Sequence, residues 1–168
     1  MPEINIKPQP AWENRWSEPQ TQQLIDGLQS EHCPLIKTLV KQISGYKHVK
    51  QSLSWFGVAW KWTIQLNVHR PGGKQLDTLC YIVPNRVAPI VCIPLLRETI
   101  DKLPMRRLTK LIRNGIQLAD RAVDIYWATW SLTNPADIPP VVDLIKRKHK
   151  ILLESHLPKK ASKSKKPA

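Results

Sequence analysis

The sequence predicts an α+β domain: an antiparallel β-meander of about four to five strands, with two N-terminal helices and one C-terminal helix packed on it. Three observations carry that reading. Apolar residues between positions 19 and 43 recur at helical spacing, and from Trp60 the period drops to two. After Pro104 the helical spacing returns, and one strand-like stretch separates it from a last helical segment. The 168 residues give room for one core and not for two, and 42% hydrophobic beside 23% charged residues is ordinary for a globular chain.

Residues 1–17 hold three prolines, Trp12 and Trp16, and little periodicity. They read as an arm that either docks through its tryptophans or stays mobile, ahead of one domain over 18–156. A helix opens at Pro19, with Ser17 or Glu18 near its start and Leu24, Ile25 and Leu28 on one face. A second opens at Pro34, buries Leu35, Ile36, Leu39, Val40 and Ile43, and stops at Gly45. Leu53 to Val58 reads as a strand turning at Gly57.

The alternation that follows puts Trp60, Trp62, Ile64, Leu66 and Val68 on one face and Lys61, Thr63, Gln65, Asn67 and His69 on the other. "RPGGK" is expected to turn the chain through Gly72 and Gly73. "QLDTLCYIVP" is more uniformly apolar than the strand before it, which suggests a central position, and Arg86 to Ile93 continues the meander, with Pro89 marking a strand end, edge or bulge. Pro94 and Pro104 are each able to open a helix. Beyond Pro104, Leu108, Leu111, Ile112 and Ile116 form an apolar stripe opposite Arg106, Arg107, Lys110, Arg113 and Asn114. "RAVDIYWATWSL" is a further strand, and Asp137 caps a last helix that tolerates Pro139 and Pro140 in its first turn. Its apolar stripe runs through Ile138, Val141, Val142, Ile145 and Leu152. Residues 157–168 are a charged low-complexity tail, expected to be disordered.

Three of the seven tryptophans crowd into "WFGVAWKW". A stacking platform needs such rings on a wet face interleaved with Lys or Arg, and only Lys61 fits, so Trp60 and Trp62 are expected in the core. Trp127 and Trp130 lie three apart in one strand and point to opposite faces, which makes them the candidates for ligand contact.

The net charge of +13 is uneven. From Lys146 onward nine Lys or Arg face the single acid Glu154, so eight of the thirteen charges sit there. Candidate polyanion contacts are Arg106, Arg107, Lys110 and Arg113 on the basic helix and Lys146, Arg147 and Lys148 in "KRKHK". The bland reading of both sets is a solvated helix face, with His149 half-buried beside the last stripe. Cys33, Cys80 and Cys92 read as reduced thiols, two of them in apolar strands.

No glycine-rich phosphate loop, nucleophile elbow, paired-His zinc motif or CxxC is present, so no catalytic residue, metal site or cofactor is expected. No apolar run is long enough to span a bilayer and no secretory signal is seen, so cytoplasmic residence without a membrane partner is expected.

The segments "SLSWFGVAWKWTIQL", "LDTLCYIVPNRVAPIVCIP", "LPMRRLTKLIRN" and "DIPPVVDLIKRKHKIL" resemble the small bacterial domains of unknown function grouped as YdhG-like. The likeness spans Gly45 to Leu153 and includes a Y-x-x-P strand end at Tyr81 to Pro84. A weaker likeness, through the ending "SHLPKK", is to YjbR-like domains, whose fold has been compared with double-wing DNA-binding domains. The resemblance implies an α+β fold and a cytoplasmic bacterial protein, and it transfers no catalytic residues. The expected function is a non-enzymatic module for a small ligand or protein partner. A nucleic-acid-associated protein using the basic helix and tail is the alternative, and an enzyme with a site assembled from distant residues the third.

Overall fold

A computed structural model of the chain describes residues 9–69 and 74–156. The predicted turn through Gly72 and Gly73, the first eight residues of the arm and the tail 157–168 lie outside the described residues. Helices α1 (Thr21–Asp26) and α2 (Cys33–Ser44) precede one six-stranded antiparallel sheet. Its strands are β1 (Val49–Trp55), β2 (Trp62–His69), β3 (Gln75–Val83), β4 (Ile90–Leu96), β5 (Asp120–Ala122) and β6 (Ile125–Ser131). They lie in the order β1-β2-β3-β4-β6-β5. One helical turn, α3 (Gly57–Trp60), joins β1 to β2; α4 (Arg97–Lys102) and α5 (Lys110–Gln117) follow β4; α6 (Ile138–His156) follows β6.

The α+β class and the meander β1 to β4 match the expectation, with more strands than the four to five predicted. "RAVDIYWATWSL" is a hairpin, not one strand, because the chain reverses at Val123, whose φ is 56°. Pro94 opens no helix: it sits inside β4, paired with Trp127, and α4 starts at Arg97. Arg86 lies in the loop before β4, where its guanidinium grips both carboxylate oxygens of Glu13 at 2.8 and 2.9 Å. Pro104 precedes only a 3-10 turn (Met105–Arg107), and α5 is capped instead by Thr109, whose hydroxyl accepts the Ile112 N–H. Asp137 caps one turn earlier than expected. Its carboxylate accepts the N–H groups of Thr133 and Asn134, holding the 3-10 turn that leads into α6.

The sheet has two unlike faces. Ile64, Leu66 and Val68 of β2, Ile82 of β3, Val91, Ile93 and Leu95 of β4 and Ala128 and Trp130 of β6 are buried in one core with the apolar stripes of α2, α5 and α6. The arm docks here through Trp12, which is buried against Gly27, while Trp16 is exposed. The other face carries Thr63, Gln65 and Asn67 of β2, Tyr81 of β3, Cys92 and Pro94 of β4 and Trp127 of β6, as the register requires.

The middle of the sheet is held by few backbone pairs. β3 and β4 pair only from Tyr81↔Cys92 to Val83↔Ile90. Beyond that, Pro94 has no N–H to donate, and a register shift beside Leu66 and Asn67 displaces β3. Into this fork α6 inserts Lys148, 1% exposed, whose Nζ donates to the carbonyls of Thr78 and Pro94 at 2.5 Å each and of Leu79 at 3.4 Å. Three ammonium hydrogens thus meet three carbonyls that the ladder leaves over.

Candidate ligand-binding site

The connection from β1 to β2 sets the site. Gly57 takes φ 77°, and Lys61 takes φ 58° with ψ −144°, a region that L-residues rarely enter. The loop is closed by Phe56 N–H donating to the Lys61 carbonyl at 2.9 Å and Lys61 N–H to the Gly57 carbonyl at 2.8 Å. The reversal at Lys61 breaks the period-two pattern between Trp60 and Trp62. Trp62 starts β2 on the helix-covered face, edge-on to Trp55, and donates its indole N–H to the Asn14 carbonyl at 2.8 Å. Trp60 ends α3 and lies on the opposite face. The sequence-based placement of both rings in the core is therefore corrected for Trp60.

There Trp60 meets Phe56, Tyr81 and Trp127. Tyr81 and Trp127 come together across β4, 6.0 Å apart and tilted by 36°, over the buried Cys92 and Pro94 that their strands pair with. Phe56 stands at 84° to Tyr81, and Trp60 at 75° to Trp127. The four rings line a depression of about 250 Å³, open to solvent. Each ring is half-buried. Among the described residues the indole N–H groups of Trp60 and Trp127 donate to no protein acceptor, unlike those of Trp62 and Trp130.

Polar groups flank the rings. The Gln65 amide donates to the Thr78 hydroxyl at 2.8 Å, that hydroxyl to Asn67 Oδ1 at 2.9 Å, and the Asn67 amide to Ser52 at 3.2 Å. Lys61 Nζ lies 3.3 Å from Glu13, which also holds Arg86, so the turn is tied to the docked arm. The Arg86 hydrogen bond is the largest influence holding the Glu13 carboxyl below its usual pKa. On the outer side Asp120 of β5 pairs with Trp127, so their side chains share a face.

The two ligand-contact candidates separate as their spacing required. Trp127 lines the depression; Trp130 is core, its indole against Gly115 and its N–H donating to the Leu111 carbonyl at 3.1 Å. Phe56 and Tyr81 are not among the ligand-contact candidates the sequence offers, and Trp60, weighed there as a platform ring, is expected in the core instead. The usable signal was Gly57, a turn that sends the flanking rings to whichever face the reversal dictates.

The polyanion candidates are spread over three elements, the 3-10 turn before α5, α5 itself and α6. Arg106 and Arg107 are exposed on the 3-10 turn, Lys110 is exposed and Arg113 half-buried on α5. Lys146 is exposed on α6, and Arg147 donates to Asp143 at 2.8 Å. A groove of about 590 Å³ along α6 mixes Lys146, Arg147 and Lys150 with the acids Asp143 and Glu154. Lys148 is a correction: it faces the core, out of reach of any polyanion. Burial lowers its pKa to about 8, against the opposing pull of nearby Asp77. Burial likewise pushes the thiols of Cys80 and Cys92 up to about 12, and all three cysteines are unbridged. His149 is half-buried, one ring nitrogen 2.8 Å from the Lys47 carbonyl. Among the described residues no three His, Cys, Asp or Glu side chains gather where a metal ion could sit, and no helix is long and apolar enough to cross a membrane.

No protein-family model matches the chain, and no curated protein matches it.

Proposed function

We propose that the protein is a non-enzymatic binding module whose site is the aromatic depression formed by Phe56, Trp60, Tyr81 and Trp127. One observation carries this: rings from three separate segments converge on the face turned away from the core, where two indole N–H groups have no protein partner among the described residues. Burying those rings in a core would have satisfied the hydrophobic effect more completely, so their half-exposure calls for a partner. Support also comes from the backbone, since Gly57 and Lys61 hold positive-φ conformations in the turn that sets Phe56 and Trp60. The likeness to YdhG-like domains and residence in a bacterial cytoplasm belong to the same proposal.

The nucleic-acid reading is the weaker one. Its strongest sequence element loses Lys148 to the core, and Arg147 and Lys150 have acidic partners. The test is a fragment screen followed through the indole N–H resonances, assigned with Trp→Phe variants. Hits are expected to shift Trp60 and Trp127 together and leave Trp130 still. Hits that shift only indoles other than Trp60 and Trp127, or a screen in which none shifts that pair, would overturn the reading.

A further inference from the structure

The four rings form corners more than a flat platform. Trp60 with Trp127 and Phe56 with Trp60 meet at 75° and 65°, with centroids 6.2 and 6.0 Å apart. Phe56 with Tyr81 meets at 84° and 5.1 Å. A cation resting about 4.5 Å above each of two perpendicular faces requires centroids roughly 6 Å apart, within the range where ring quadrupoles attract positive charge. A single sugar or base asks for something else: one broad face and hydrogen-bonding groups at its edge. Among the described residues the lining here is aromatic, its free polar groups are the Trp60 and Trp127 indole N–H donors, and the Gln65 amide nitrogen beside it already donates to Thr78.

Charge points the same way. The nearest lysine in sequence, Lys61, has its ammonium against Glu13 and not over the rings. Asp120, exposed, is directly opposite Trp127 in the sheet with its side chain on the ring face, so a carboxylate flanks the open side. A methylated ammonium suits this lining because it has no N–H to satisfy, or few, and is attracted by π faces and by a nearby anion.

We infer that the depression is a cage for a methylated ammonium group, with Trp60, Tyr81, Trp127 and Phe56 as its walls and Asp120 as the flanking anion. This rests on the binding-module reading and gives it a ligand class. The group is the same whether it comes on a free small molecule or on a methylated lysine side chain, so both sources are tested.

The experiment titrates the full chain with choline, with its uncharged carbon isostere 3,3-dimethylbutan-1-ol, and with a short peptide carrying trimethyllysine, by calorimetry and by the indole N–H shifts. Choline or the peptide is expected to bind at least about tenfold more tightly than the uncharged isostere. Asp120→Asn, a surface change that leaves the fold intact by circular dichroism, is expected to weaken the cationic ligands several-fold and leave the isostere unchanged. Tighter binding of the peptide than of choline assigns the group to a protein side chain; equal binding assigns it to a free molecule. Equal affinity for choline and the isostere would overturn the cage while leaving an apolar binding site. Silence toward all three probes, with other fragments still shifting Trp60 and Trp127, would overturn the cage alone. Silence toward every fragment would overturn the binding module as well.

Discussion

Gly115 of α5 lies flat against the indole of Trp130 on β6, so close that a Cβ built on the glycine would stand 2.3 Å from the ring. The same indole donates its N–H to the Leu111 carbonyl one turn earlier. Helix and strand therefore approach as nearly as backbone allows. Gly115→Ala gains about 1 kcal/mol of helix propensity but overpacks a seated ring. With overpacking costing on the order of 2–3 kcal/mol against a fixed ring, a net loss of about 1–2 kcal/mol is expected in urea unfolding. A neutral or stabilising result would show that Trp130 gives way freely.

Val123 is a β-branched residue at φ 56° in the two-residue turn between β5 and β6, a position where glycine is favoured. Its side chain is exposed, so little packing is lost on its removal. Val123→Gly is expected to raise stability by about 1 kcal/mol, with an unchanged denaturant slope. A lowered midpoint would mean that the turn draws on contacts of the valine.

Lys148 gives the stability a pH signature. Its folded pKa, about 8, is below the ordinary 10.5, so between those values the unfolded chain holds a proton that the folded chain has released. Stability contributed by this residue therefore rises from pH 8 toward 10.5 and is lost as pH falls back through 8. Wild-type stability relative to Lys148→Met should climb across that window, by ~1.4 kcal/mol per unit at most. Urea titrations in reducing buffer at several pH values measure it. Cys80 and Cys92, raised to about 12, act in the opposite sense and feel the Lys148 charge themselves, so the rise between pH 8 and 9, below the ordinary thiol value of 9.0, isolates the lysine. A difference that stays flat with pH would contradict the buried ammonium.

Trp12 is the anchor of the arm, 2% exposed and packed on Gly27. Trp12→Ala should cost about 3–5 kcal/mol, in the range of buried aromatic truncations, whereas Trp16→Ala should be silent. Equal, small effects for both would mean that the arm contributes nothing to the fold.

Much of this was legible in the residues themselves. Trp127 and Trp130 separate onto opposite faces because nothing interrupts β6 between them, and period two then decides. Trp60 was misplaced because counting by twos assumes a continuous strand, and the reversal at Lys61 is a conformation that lysine rarely adopts and no pattern announces. Lys148 was grouped with surface cations by its neighbours in "KRKHK". Yet it falls three residues after Ile145 and four before Leu152, on the apolar stripe, so helical spacing already placed it inward. What the pattern hid was its partners, carbonyls of Thr78 and Leu79 on β3 and of Pro94 on β4.

The division of the sheet has one more consequence. β1, β2 and β3 are consecutive in the chain, and so are β4, β5 and β6, and among the described residues three residue pairs stitch one trio to the other. Lysine clips this seam on the helix side, and on the other side Tyr81 and Trp127, one from each trio, close over it. The sheet is thus paired as sparingly down its middle as at its short β5 edge. Anything wedged among those rings grips both halves at once, so occupancy would be felt as slower opening along the centre line.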